Sequence, residues 1–404
     1  MRTLWVVSEL YAPEDASTAH LVTQIAEGLF EDFSVKVICA QPTYNARGQK
    51  APSREVLNGV VVSRIFSTTF PKDRLVLRFL NVATACVSFA LRMLLNFRRG
   101  DAVLVVTNPP PLPFLASLAA RVRGAQTCLL IHDVYPDVFV PTGFLKNDSF
   151  VFRGMNWATA GLYRTVDAII VLGRDMKRRV LSKSAIDENK VFVVQNWADI
   201  EMQRVPDAEN SVRKSLKNAD SFIVQYSGNM GRTHDLNVVA EAAEALEHRG
   251  VEKIHWMICG WGAGKVPFQR LCERKDLKSV AIYPPFPREL VPQVISLPDV
   301  AIISFVEGMS GISVPSRMYN ILACGCPIIA VTEKDSELAL AITEDRIGWV
   351  LPPGDAESLA NLVERISRSP DELEEIRKRC IDIANMKYSW RVAIRQYANI
   401  LHHI

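Results

Sequence analysis

At 404 residues the chain is too long for one ordinary hydrophobic core, and two domains are the first expectation. Hydrophobic residues make up 49% and charged residues 23%, as in a globular protein with large buried sheets. A net charge of only +3 excludes a whole-chain demand for nucleic acid, so any electrostatic argument must be local.

The N-terminal run Met1-Arg-Thr-Leu-Trp-Val-Val-Ser8 is too short and too soon followed by Glu9 for a signal peptide; it reads as a first strand, and the expected compartment is cytoplasmic. A helical pattern over 18–30 and strands over 35–40 and 60–66 follow. Next comes an apolar stretch edged by Arg74, Arg78, Arg92, Arg98 and Arg99. Its longest uncharged part, between Arg78 and Arg92, has 13 residues, short of the roughly 20 that span a bilayer. Two uses fit equally: a helix lying on an anionic membrane, at the inner face of the plasma membrane, or a helix covering the sheet.

Strands over 102–107, 127–131, 167–172 and 191–194, with a helix over 149–164, complete a first series. A polar stretch, Asp207-Ala-Glu-Asn-Ser211 through Lys217-Asn-Ala-Asp220, breaks the pattern. A second series occupies 222–227, 254–259, 280–283, 299–304, 327–331 and 347–350, with helices over 235–248 and 356–368. The runs are rich in Val and Ile without strict alternation, as in parallel strands covered on both faces. The pattern predicts an α/β protein of two Rossmann-like, doubly wound lobes facing across a cleft. Expected domains are 1–200, a linker over 201–218, a ligand-binding domain over 219–375, and terminal helices over 376–404 that pack back on the first domain.

Eight cysteines are spread along the chain, several inside apolar runs such as Val35-Lys-Val-Ile-Cys39. There they act as small hydrophobes, and a disulfide framework is not expected in so large a chain. The close pair Cys324-Gly-Cys326 has no companion at zinc-ligand spacing, so no metal site is expected.

Ligands of open α/β sheets bind at the carboxyl ends of the strands. Two glycine loops lie at such ends. In Tyr226-Ser-Gly-Asn-Met-Gly-Arg-Thr-His-Asp-Leu236, Gly228 and Gly231 allow close backbone approach around Asn229, and Arg232 supplies a cation before a helix start that favours anions. A plain glycine turn with Asp235 as helix cap is the bland alternative. In Glu307-Gly-Met-Ser-Gly-Ile-Ser-Val-Pro-Ser-Arg317, Gly308 and Gly311, with Ser310 and Ser313, can mould around a polar ligand. Pro315 suits a first helical turn, Ser316 and Arg317 fall where a second phosphate oxygen would be met, and Asn320 shares the helix face of Arg317. Two arginines and helix-start amides can grip a diphosphate without Mg²⁺, so no cofactor is expected.

With these loops the chain resembles the retaining glycosyltransferases of the B-type fold, glycosyltransferase family 4, especially bacterial members that build surface polysaccharides such as lipopolysaccharide. The resemblance runs from Tyr11-Ala-Pro-Glu14 through Ile131-His-Asp-Val-Tyr-Pro136, Gln195-Asn-Trp-Ala-Asp199 and Gly228-Asn-Met-Gly231 to Val314-Pro-Ser-Arg317 and Ala323-Cys-Gly325. It implies a hexosyltransferase moving sugar from a nucleotide-sugar, by family habit a UDP-sugar, to a lipid-linked or glycan acceptor. Arg232 and Arg317 match the family's basic pair on the diphosphate. His132 resembles its donor-sugar contact, and Asp133 would orient that histidine or an acceptor hydroxyl. Ser17 and Thr18, in an opening loop without the usual glycine pair, are candidate donors to a phosphate or acceptor. The family's paired glutamates are not kept. The second falls at Asn320, which can hydrogen-bond a ribose hydroxyl without charge; the first falls near Ile312, with Glu307 too distant to replace it. Two rival functions follow, a sugar-nucleotide epimerase on the same fold and a catalytically silent nucleotide-sugar-binding partner subunit.

Overall fold

The computed structural model describes residues 1–14, 16–42, 50–68, 70, 75–199, 201–216 and 220–404. Arg74, the side chain of Arg78, residues 217 and 218 of the expected linker and residue 219 of the expected second domain lie outside the described residues.

The chain divides into two compact units. The first comprises Met1–Asp137, Asn147–Gln195 and Arg391–Ile404; the second comprises Val138–Lys146 and Asn196–Trp390. The first unit holds an eight-stranded sheet of β1 (Thr3–Val7), β2 (Ser34–Cys39), β3 (Arg54–Leu57), β4 (Val60–Arg64), β5 (Ala102–Val106), β6 (Gln126–Ile131), β7 (Ala168–Val171) and β8 (Val191–Val193). Their order is β3-β4-β2-β1-β5-β6-β7-β8, and every pairing is parallel except β3 with β4. Every residue of β5 is buried, as its unbroken Ala-Val-Leu-Val-Val run requires of a central parallel strand.

Strand β3 was not expected. It forms an edge hairpin with β4 through Asn58 and Gly59, both at positive φ (47° and 83°). Asn-Gly between apolar runs is the strongest short-range hairpin signal, because both central positions of the tight turn need the left-handed region.

From β4 the chain passes through the helix Leu75–Asn96 to β5, through Leu112–Arg123 to β6, and through Phe150–Thr165 to β7. These crossovers advance across the sheet in one direction, so right-handed connections set the three helices side by side on one face. Neighbouring helices in this series touch. The first has an inward stripe of buried Phe89 and Met93, continued by Phe97 just beyond it. It therefore covers the sheet, while Leu91 and Leu95 are exposed. No helix among the described residues is long and apolar enough to cross a membrane.

The second unit holds β9 (Phe222–Asn229), β10 (Ile254–Trp261), β11 (Val280–Tyr283), β12 (Val300–Ser304), β13 (Ile328–Val331) and β14 (Gly348–Leu351), ordered β11-β10-β9-β12-β13-β14 and wholly parallel. Its core lies on both faces of the sheet. Along β12, Val300 and Ile302 join one apolar cluster while Ala301 and Ile303 join another, because successive strand residues point to opposite sides. All eight cysteines are free, seven of them buried. Burial pushes the thiols of Cys324 and Cys326 up to about 11 and about 12, the behaviour of core hydrophobes.

The unit boundaries differ from the expected ones. Residues 138–146 and 196–216 cluster with the second unit. So does the helix Pro370–Met386, which was expected on the first. Its buried side, Leu373, Ile376 and Cys380, completes the cores of the second unit, and Arg377 pairs with Asp299 at 3.3 Å. Only the last helix, Trp390–His403, goes almost entirely with the first unit. There Arg2 donates to the carbonyls of Leu401 and Ile404 at 3.0 and 2.9 Å, and His402 stacks on Phe33.

Candidate active site

In the second unit the carboxyl end of β9 runs directly into the first glycine loop. Gly228 sits at φ 137°, and a Cβ built there would lie 3.2 Å from Nη1 of Arg317. Glycine is therefore needed for close approach: it lets the guanidinium lie against the strand end. Arg317 opens the helix Arg317–Ala323 beyond β12. Its Nη1 donates to the Ser227 carbonyl at 3.2 Å, and its Nη2 donates to Nε2 of His234 at 2.7 Å. The guanidinium carbon lies 4.7 Å from the centre of the Tyr226 ring, a cation–π contact.

His234 is arranged to receive that proton-rich neighbour. Its Nδ1 faces the Ser304 carbonyl at 3.2 Å, which assigns the N–H to Nδ1 and leaves the Nε2 lone pair for Arg317. Its ring stacks on Phe305, with centroids 5.1 Å apart. Burial, and then the Arg317 charge, hold the imidazole well below its ordinary range, so it is neutral near pH 7. A neutral acceptor fixes the arginine without cancelling its charge. The result is a half-buried cation, locked by three groups and still positive, which is what recognition of a polyphosphate requires.

The amides expected to bind anions have other partners. The Asp235 carboxylate accepts from the amides of Asn237 and Val238 at 3.0 and 3.4 Å, so the protein's own side chain occupies that helix start. At the second loop the Glu333 carboxylate, just past β13, accepts from the amides of Gly308 and Ser310 at 2.9 and 2.7 Å. The helix at Arg317 is only seven residues long, and its early amides of Met318 and Tyr319 turn back to the carbonyls of Pro315 and Ser316. At these positions the amides are occupied by the protein's own acceptors, while Arg317 and Arg232 carry positive charge beside them.

Arg232 is exposed, and its guanidinium sits 5.0 Å from the centre of the Phe144 ring. Phe144 comes from 138–146, the segment that joins this unit from within the first half of the sequence. Asn229 ends β9, and its carbonyl accepts from the Tyr226 hydroxyl at 2.8 Å. Gly231 follows two residues later in the same loop, while Gly311, Ser313 and Ser316 precede Arg317 in the second loop. Asn320 has a structural partner: its Oδ1 accepts from the Asp199 amide at 2.8 Å.

In the first unit, His132 and Asp133 directly follow β6. The His132 amide donates to the Thr107 hydroxyl at 3.3 Å, while its buried Nε2 has no hydrogen-bond partner. Burial pushes the imidazole down to about 4 and the Asp133 carboxyl up to about 6. The Asp133 and Glu9 carboxylates both add to the burial that raises the Tyr135 hydroxyl above its ordinary range. Ser17 and Thr18 open the helix Ser17–Gly28, with Ser17 exposed and Thr18 half-buried.

The depressed His132 gives a stability prediction. Below its unfolded value near 6.5 the unfolded chain takes up a proton that the folded chain refuses until about pH 4. The native state therefore loses stability as pH falls through that window. Relative to wild type, His132→Asn should gain roughly 2 kcal/mol in urea melts on going from pH 7 to pH 5. A pH-independent difference would mean that His132 titrates normally.

Three contributors escaped sequence reasoning. His234 lay inside a quoted motif, but only the fold brings it to Arg317. Glu333 stands 25 residues beyond Gly308 and carried no local signal. The stretch Gly260-Trp-Gly-Ala-Gly264, which closes β10 and continues beyond it, did carry one, its three glycines at a strand end. It braces the first loop, with the Met230 amide donating to the Trp261 carbonyl and the Gly264 amide donating to the Met230 carbonyl.

Comparison with known proteins agrees with this geometry. Residues 18–197 match the family model described as glycosyl transferase 4-like domain, and residues 207–385 match glycosyl transferases group 1. The chain is 29% identical over 370 residues to the probable glycosyltransferase WbjE of Pseudomonas aeruginosa, covering 91% of this chain and 90% of the relative. It is 27% identical over 292 residues to the putative colanic acid biosynthesis glycosyl transferase WcaI of Escherichia coli K12, covering 70% and 69%. Among solved structures, Anabaena Alr3699/HepE in complex with UDP and glucose superposes with a TM-score of 0.76 at 12% identity, covering all of both chains. WaaG, a glycosyltransferase involved in lipopolysaccharide biosynthesis, gives 0.71 at 11% identity over 98% of this chain and 99% of that one. Two parallel-sheet units, an arginine locked at the end of β9, and family matches across both halves lead to one conclusion: the chain belongs to the family 4 type of glycosyltransferases, with the B-type fold.

Proposed function

We propose that this glycosyltransferase moves a hexose from a UDP-sugar to a lipid-linked or glycan acceptor during assembly of a bacterial surface polysaccharide, with retention at the anomeric carbon and without a metal. The observation that carries the reading is Arg317, held against Gly228 by Ser227 and a neutral His234. A fixed cation at a strand end stabilises negative charge as it develops on a departing diphosphate. Arg232, exposed one loop away, supplies a second charge. UDP as the leaving group is supported by the complex of HepE with UDP and glucose.

In this reading the bond from the anomeric carbon to the diphosphate oxygen breaks, and its electron pair stays with UDP. The acceptor oxygen bonds to the same face of that carbon, and its proton passes to a phosphate oxygen of the leaving group. Asn320 offers its amide to the ribose, and Asp133 of the first unit orients the acceptor hydroxyl, with His132 beside it. The loop bearing Gly228, Asn229 and Gly231 and the loop bearing Gly308, Ser310 and Gly311 shape the donor pocket. The helix Leu75–Asn96 brings the enzyme to the membrane that holds its acceptor.

The test combines the purified protein, radiolabelled UDP-sugars and a lipid extract of polysaccharide-producing cells. Transfer to lipid is expected, undiminished by EDTA. Activity abolished by EDTA and restored only by a divalent metal would sink the metal-free mechanism, and turnover of donor without acceptor would favour an epimerase. The hydrogen bond from Asp199 to Asn320 gives some support to a silent donor-binding subunit. That reading predicts a thermal shift with UDP and no transfer to any lipid.

A further inference from the structure

We propose that the whole three-helix face of the first unit, Leu75–Asn96, Leu112–Arg123 and Phe150–Thr165, is a docking surface for an anionic lipid bilayer. The proposal rests on the suggested membrane contact of 74–99 and extends it to two helices that no local pattern had marked. Three observations support it. First, the helices lie side by side on one face of the sheet. Second, each turns apolar side chains to solvent at helical spacing: Leu91 and Leu95 on the first, Leu118 and Val122 on the second, Phe150 and Trp157 on the third. Trp157 is 78% exposed and Phe150 90%, values at which large rings on a soluble surface call for a partner.

Third, the charge is of one sign. None of the three helices contains an Asp or Glu, whereas Arg92, Arg121, Arg123, Arg153 and Arg164 all lie on them and are exposed, with Arg98 and Arg99 just beyond the first. Of the acidic groups at the helix ends, Asp101 is buried and accepts from Trp5 and the Arg98 amide, Asp167 accepts from the Thr127 amide, and Asp148 stands before the third helix. Between the second and third helices runs a groove of about 380 Å³ lined by Phe114, Leu118, Arg121, Trp157, Gly161 and Arg164. Apolar rings interleaved with arginines and free of acids match a bilayer interface, where indole and acyl-contacting side chains sit at headgroup depth and basic groups meet anionic lipid. A protein partner would more commonly be met by mixed charge.

Sedimentation with phosphatidylcholine vesicles containing phosphatidylglycerol tests this, using the full chain. Wild type should bind, weaken steeply as salt rises, and bind pure phosphatidylcholine at least about tenfold less well. The pair Leu118→Glu and Trp157→Glu should lower partitioning on the order of tenfold, and so should Arg121→Gln with Arg153→Gln. Trp157→Phe, which keeps the fold, should bind yet lose a blue shift of tryptophan fluorescence seen with wild type. Loss of binding with Leu91→Glu and Leu95→Glu alone, with the second and third helices indifferent, would overturn the extension while leaving the 74–99 contact standing. A concentration-dependent dimer abolished by Trp157→Glu, with no vesicle binding, would instead assign the face to a second copy of the chain. Thermal shift with UDP is expected to be the same in all these variants, so failure here is separable from failure of the glycosyl-transfer reading.

Discussion

Replacing Arg317 with alanine is expected to lower turnover about 10²–10³-fold, the usual cost of deleting one preorganised donor to a developing anion. The guanidinium is held in the ground state by Ser227 and His234, so little reorganisation accompanies reaction. Because the diphosphate is charged before it leaves, donor KM should rise as well, but by less than kcat falls. Lysine should rescue poorly. Its single ammonium cannot hold both the Ser227 carbonyl and the His234 ring while facing a phosphate. His234→Phe separates position from charge: it keeps an aromatic ring on Phe305 and removes the Nε2 acceptor together with the Nδ1 donor to Ser304, so an intermediate loss of about tenfold is expected, mostly in kcat. Steady-state kinetics with the preferred nucleotide-sugar decides the matter, and unchanged turnover in Arg317→Ala would remove this residue from the mechanism.

A second large effect is expected at Asp133. Burial raises its carboxyl to about 6, so it is ionised at neutral pH and becomes protonated just below. Only the ionised form can accept a hydrogen bond from an acceptor hydroxyl without giving up a lone pair to its own proton. The kcat/KM profile should therefore have an acid limb near pH 6, and Asp133→Asn should lower turnover about 10²-fold or more and abolish the limb. His132, lowered to about 4, cannot produce a limb there. An acid limb retained in Asp133→Asn would assign the ionisation to another group.

Local pattern accounts for much of this molecule. The Val- and Ile-rich runs locate thirteen of the strands, because parallel strands buried on both faces need unbroken apolar sequence. The two glycine loops and the arginines after them are equally local, since strand-end chemistry is written in consecutive residues. Strand β3 was also legible, in Asn58-Gly59, but its short, half-exposed sequence gave no apolar run to draw attention to it.

What the tertiary structure alone decided are the pairings between distant segments. Nothing near Arg317 in the sequence announces His234, and nothing near Gly308 announces Glu333; each meets its partner because adjacent parallel strands bring their carboxyl ends to one edge. The same holds for Pro370–Met386, whose amphipathic pattern shows that one side is buried but not against which sheet. Periodicity fixes a face; only packing fixes what covers it. That is also why the exposed rings of the three-helix face became visible only once the helices were seen together, for a helix laid on a sheet and a helix laid on a membrane are written with the same 3.6-residue repeat.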